Sequence, residues 1–148
     1  MLLHLLKQSL VVEPVSDVYA WGQFILRVST ALIIFYVHGW HKLKGGLAHL
    51  RNGARWTLAE EVAQMHFPAP VASAFAATLV QFICSLGLIV GLLTRMNAAL
   101  LTATLSIAIF QNLLARRDPQ LAILYTLIVL ALTLMGGGPF SLDAKLFN

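Results

Sequence analysis

Four apolar stretches, at about residues 18–41, 71–93, 97–114 and 120–137, take up most of this chain. A helix needs roughly 20 mainly apolar residues to cross a bilayer, and each stretch comes close to that length. Only helices and closed barrels satisfy their backbone groups in lipid. The alternating pattern of a barrel strand is absent, so the expected fold class is all-α. LTRMN joins the second stretch to the third and ARRDPQ joins the third to the fourth, links short enough to force antiparallel neighbours. The expectation is one domain over residues 1–148, a polytopic membrane protein built as an antiparallel four-transmembrane-helix bundle.

Composition agrees: 59% of the 148 residues are hydrophobic and 11% charged, poor figures for a water-soluble domain. The net charge of +4 comes from ten Lys/Arg against six Asp/Glu. The positives lie mostly outside the spans, as membrane-surface residues do, and make no nucleic-acid footprint. Cys84 is the only cysteine and falls in the second span, which excludes an internal disulfide, a cysteine metal cluster and dithiol chemistry by this chain alone. The leading MLLHLLKQSLVVEP has no small-residue cleavage site and reads as an interfacial amphipathic helix.

The first span carries Tyr19 and Trp21 at its start and Tyr36 and Trp40 at its end, the usual aromatic interface positions. It runs into FYVHGWHKLKGG, where Trp40, His41 and Lys42 read as interface anchors and Gly45-Gly46 as the helix end. Residues 45–70, with the apolar pattern Leu47, Leu50, Ala54 and Leu58 and then FPAP, are expected to form a surface helix or lid between the first two spans. One face of the bundle carries Lys42, Lys44, Arg51, Arg55, Arg116 and Arg117, the other Lys7, Arg95 and Lys145. That bias favours both termini outside the cell.

Polar residues within the spans are the functional candidates, because a charge there costs about 2.5 to 3.5 kcal/mol on insertion scales. Gln23, Arg27, Thr30, Ile34, His38 and either His41 or Lys42 share one face of an ideal helix. Thr78, Gln81 and Ser85 recur in the second span, and Asn97, Thr104 and Gln111 in the third. The six acids are Glu13, Asp17, Glu60, Glu61, Asp118 and Asp143, all near span ends or in loops. Arg27 therefore needs carbonyls, amides, an inward-folded loop acid or a ligand. The stripe either bridges helices, with Arg27 snorkelling, or lines a cavity in which Arg27, His38, Gln81, Gln23 and Gln111 bind a ligand. Gly87 and Gly91 form a small-xxx-small pair suited to close helix packing, within the chain or in a homodimer. His38 and His41 stand at i, i+3, but without a further ligand nearby no metal is expected. There is no phosphate loop, triad spacing or metalloprotease pair, so the chain has no catalytic motif of its own.

Arg27 with HGWHKLKGG, then LIVGLLTRMNAALL, and finally GGGPFSLDAKL together resemble the DoxX family of small bacterial membrane proteins, three blocks in order across residues 27–145. The matching positions are Arg27, His38, Gly39, Lys42, Leu43, Gly87, Gly91, Thr94, Arg95, Gly138, Pro139, Ser141, Leu142 and Asp143. The resemblance implies four helices, a bacterial inner membrane and an association with redox metabolism. Relatives include a subunit of a thiosulfate-oxidising, quinone-reducing enzyme and a membrane partner of thiol and superoxide defence. It also implies an acid in the second helix to pair with the arginine, where this chain has Gln81. Asp143 is expected to fold back toward a basic residue and pin the tail.

Stripe and resemblance together favour an accessory, quinone- or lipid-binding subunit of a redox system. Quinone is then the cofactor to consider, and the partners are the bilayer, the quinone or lipid, a soluble or membrane redox protein and a second copy of the chain. Two alternatives stand beside it: a carrier of small anions or lipid with Arg27 as the selectivity charge, and an assembly factor acting through residues 45–70.

Overall fold

The computed structural model describes residues 17–147, and the leading MLLHLLKQSLVVEP lies outside them. All regular elements among the described residues are helical. The first helix runs from Asp17 to Asn52, as α1 (Asp17–Ile33), a π-helical segment (Ile34–Trp40) and α2 (His41–Asn52). Then follow α3 (Thr57–Gln64), α4 (Pro70–Val90), α5 (Thr94–Leu114), α6 (Gln120–Met135) and α7 (Leu142–Phe147).

The first helix, α4 and α5 are long and apolar enough to cross a membrane, and α6 is a shorter apolar helix of 16 residues. Large apolar side chains point outward, among them Ile83, Phe110, Leu121 and Leu134. That surface suits lipid rather than water. The interior core joins Ile34, Leu88, Leu101, Leu105, Val129 and Leu132 across four helices, each at most 3% exposed. A smaller cluster of Trp56, Leu58, Ala59 and Ala74 seats α3 on the start of α4.

The expected surface helix is present but shorter than residues 45–70. Gly45 and Gly46 do not end the first helix; it continues to Gly53, whose left-handed φ of 63° stops it. The glycine pair makes room for the lid instead. A Cβ on Gly45 would lie 3.0 Å from Trp56 Cδ1, and one on Gly46 would lie 2.8 Å from Phe75. The Leu47, Leu50, Ala54, Leu58 pattern consequently splits: Leu47 and Leu50 are exposed and only Leu58 is buried.

The end of the bundle near Gly91 is closed by the tail. Arg27 Nη1 donates to the carbonyls of Leu88 and, at 3.2 Å, of Ile89 in the last turn of α4, while Nη2 donates to Phe140 O at 2.9 Å. Gln23 Nε2 donates to Gly136 O at 2.9 Å, and Trp21 packs on Phe140. Asp143 folds back as expected, but onto backbone rather than a basic side chain. It accepts the N–H of Leu93 at 2.6 Å and of Thr94 at 2.8 Å, capping α5. Its own N–H donates to Gly91 O at 2.9 Å. Burial pulls the Asp143 carboxyl up, yet these N–H donors and the charge of Arg27 outweigh it and hold the group below the usual carboxylate range.

Gly87 and Gly91 are both occupied within the chain. A Cβ on Gly87 would collide with the side-chain amide of Asn97, and one on Gly91 would lie 2.6 Å from Arg27 Nη1 and 2.7 Å from Ser141 Cβ. This pair is therefore not a free seam for a second copy.

Gly91 has φ +77° as well as that crowding, whereas Gly22 has nothing within 4 Å of an added Cβ. Gly91→Ala is expected to destabilise the protein by about 2 to 4 kcal/mol, and Gly22→Ala to leave it unchanged or stabilise it by roughly 0.5 kcal/mol, read by thermal unfolding in detergent. Because the folded Asp143 carboxyl is depressed, its contribution is complete above the unfolded carboxylate range, near about pH 4, and disappears as pH falls through the folded value. Asp143→Asn should cost about 1 to 2 kcal/mol at pH 7, and the gap to wild type should close on acidification toward pH 3. A gap constant with pH would show that the carboxylate is not the cap.

Candidate functional site

The expected polar stripe divides into two. Gln23, Arg27 and Thr30 are all less than 5% exposed, and Gln23 and Arg27 belong to the tail closure just described. His38, Gln81 and Gln111 line a separate cavity toward the opposite end of the bundle. Gln81 lies two turns of α4 before Leu88, a rise of about 10 Å. Arg27 therefore satisfies its charge with carbonyls, one of the partners open to it from sequence, and does not face this cavity.

The other intraspan hydroxyls bind their own helices. Thr78 donates to Ala74 O at 2.8 Å, Ser85 to Gln81 O and Thr104 to Leu100 O at 2.9 Å, the back-bonding that Ser and Thr make inside helices. They do not bridge helices.

The π-helical segment decides what enters the cavity. Its i→i+5 pairing turns the chain less per residue than an α-helix, so residues after it are rotated relative to an ideal extrapolation. Gly39 is buried against α4, where a Cβ would stand 3.3 Å from Phe82 Cα. Lys42 is thereby brought onto the inner face, its Nζ donating to Gln81 Oε1 at 3.1 Å, and His41 is left exposed. Lys42 is thus corrected from interface anchor to cavity residue. Trp40 and His41 keep exposed positions at the helix exit, and Lys44, 5.0 Å above the Trp40 ring, is the lysine that accompanies them.

The cavity has a volume of about 310 Å³ and is lined from five directions. His38 and Lys42 come from the first helix, Leu58 and Glu61 from α3, Gln81 from α4, Leu105, Ala108, Gln111 and Asn112 from α5, and Leu121, Ala122 and Tyr125 from α6. Arg117 and Asp118 close it from the α5–α6 connection. Glu61 latches α3 over the opening by accepting from Gln111 Nε2 and, at 2.7 Å, from Arg117 Nη2. His38 faces Tyr125 with ring centroids 6.2 Å apart. Two cations, Lys42 and Arg117, are balanced by two acids, Glu61 and Asp118, so the lining carries no net charge apart from His38. Hydrogen-bonding groups interspersed with the aliphatic side chains of Leu58, Leu105, Ala108, Leu121 and Ala122 suit a polar, uncharged head on an apolar body.

Glu61, Asn112, Arg117 and Tyr125 escape the sequence reading. A signal exists for one of them: Tyr125 is the only aromatic residue in the fourth apolar stretch. Glu61, on α3, and Arg117, in the α5–α6 connection, are 56 positions apart, and nothing in their local sequence pairs them. Among the described residues no group of three or more His, Cys, Asp or Glu side chains is placed to hold a metal ion.

Neither a curated protein nor a solved structure matches the chain significantly. A family model, that of DoxX, matches residues 22–112, well over half of the chain and inclusive of Arg27, His38, Lys42, Gln81 and Gln111. The chain is a member of the DoxX family.

Proposed function

We propose that this DoxX protein is an accessory membrane subunit of a redox system, and that its part is to hold a quinone by its carbonyl-bearing head in the Lys42 cavity. The observation that carries the reading is the placement of Lys42. A lysine turned inward from a membrane-spanning helix, whose direct hydrogen-bond partner is the neutral amide of Gln81, stands as a donor for an acceptor in the cavity. The volume of about 310 Å³ falls at the lower end of the range for small-molecule sites. A quinone carbonyl accepts hydrogen bonds and carries no charge, which fits a lining whose charges balance. The same balance, and the carbonyl partners of Arg27, speak against a path for free anions. Electron transfer itself falls to a partner protein.

The test is mass spectrometry of small molecules that co-purify in mild detergent with wild type, Lys42→Met and Arg27→Gln. Wild type should carry a quinone, Lys42→Met at least about tenfold less, in line with loss of one charged hydrogen bond. Arg27→Gln should unfold several degrees earlier yet retain the quinone in its folded fraction. A quinone absent from wild type, or equally retained by Lys42→Met, would sink the proposal.

We further place the cavity end at the cytoplasmic face of the inner membrane, since six Lys/Arg, from Lys42 to Arg117, cluster there. With Cys84 buried, Arg116→Cys should react with an impermeant maleimide only after permeabilisation, and Lys145→Cys in intact cells. The reverse pattern would invert the topology.

A further inference from the structure

The head-group cavity has a neighbour. Lys42, Leu58, Gln81, Ala108 and Gln111 line both it and a second, narrower space of about 70 Å³ between α3, α4 and α5. The outer part of this slot is formed by Met65 and Phe67 from the α3–α4 connection, Ala77 of α4 and Ile107 of α5. Its two hydroxyls are not offered to a ligand: Ser73 donates to Pro68 O at 2.8 Å and Thr104 to Leu100 O at 2.9 Å. The slot is thus apolar beyond the shared polar residues. Phe67 is 42% and Ile107 46% exposed, so its outer end lies at the bundle surface, where a spanning helix meets lipid.

Size then narrows the occupant. A water molecule needs about 10 to 15 Å³ of such space, so the slot of about 70 Å³, against about 310 Å³ for the head cavity, has room for a thin apolar chain over a few carbons and not for a second head. We infer that the slot is the tail exit of the head-group cavity. The bound molecule has one uncharged polar head and a single apolar tail, and it arrives sideways from the bilayer between α4 and α5 instead of through the α3 latch. This inference rests on the head-group reading above and predicts that diacyl lipids compete poorly for the site.

The test compares binding of a decyl-tailed dimethoxymethyl-benzoquinone with that of the same head lacking the tail, by tryptophan quenching in detergent. Two slot positions that do not line the head cavity are filled, Ala77→Trp and Thr104→Phe, with Ala77→Leu as the milder variant should Ala77→Trp fail to fold. Partition into micelles is common to all the proteins and cancels in the comparison. Each filled variant should bind the tailed quinone about tenfold more weakly than wild type, the loss of a few buried methylenes, and the tail-less head unchanged. Equal effects on both compounds, or none on either, overturn the tail exit while leaving the head-group site standing. So does competition by dioleoyl phosphatidylglycerol as strong as that by the decyl compound. A tail-less head that does not bind wild type removes the head-group reading and this inference together.

Discussion

The guanidinium of Arg27, buried to 1% exposure and donating to three carbonyls, is the contact on which the rest of the bundle depends. An α-helix leaves its last four carbonyls without intrahelical partners, and in lipid no water can take them. Two of the three acceptors are in the last turn of α4, where the helix dipole also favours a cation. The planar fork of an arginine reaches several acceptors at once, which a lysine ammonium does less well. The third acceptor, Phe140 O, draws the tail over α1 and α4 and places Asp143 within reach of the α5 N-terminus. Charge is dispersed over dipoles, with Asp143 nearby but not in direct contact, so Gln81 is free of that duty.

The two ends of the molecule are consequently built by different means. At the Gly91 end, backbone groups are held by Arg27, Gln23 and Asp143, and an added Cβ would crowd Arg27 and Ser141 at Gly91, Ser141 and Thr94 at Gly137, and Gln23 at Gly138. At the other end α3 rests on a small cluster around Trp56 and on the side-chain contacts of Glu61. The cluster is small and the Glu61–Arg117 pair partly exposed, and such contacts open at lower free energy than a large packed core. The cavity proposed to hold a ligand lies at that end, apart from the tail closure.

Spans, order and antiparallel topology were legible because lipid imposes a length and an apolar composition that the chain displays directly. The Arg27 closure was half legible: its need for a partner follows from burial and the lack of intraspan acids, but carbonyls leave no mark in a sequence. Gly45-Gly46 misled because a glycine pair stops a helix in one context and admits an aromatic ring in another, and only the position of Trp56 distinguishes them. Glu61 and Arg117 stayed hidden because an acid on the short surface helix meeting a loop base across 56 residues follows from tertiary structure alone.

Lys42 shows how narrow the margin between two readings can be. On an ideal helix it competes with His41 for the inner face, and at a membrane exit either residue reads as an anchor. The π-helical segment resolves the competition through backbone geometry, by turning less per residue between Ile34 and Trp40. What holds that segment against α4 is the bare Cα of Gly39, since any side chain there would press on the Phe82 backbone. The placement of a charge inside the membrane is thus fixed about three turns along the helix from Arg27, by a residue with no side chain. The polar character of the cavity follows from that close approach, because without the rotation its α4 wall would present Gln81 to His41 or to lipid in place of Lys42.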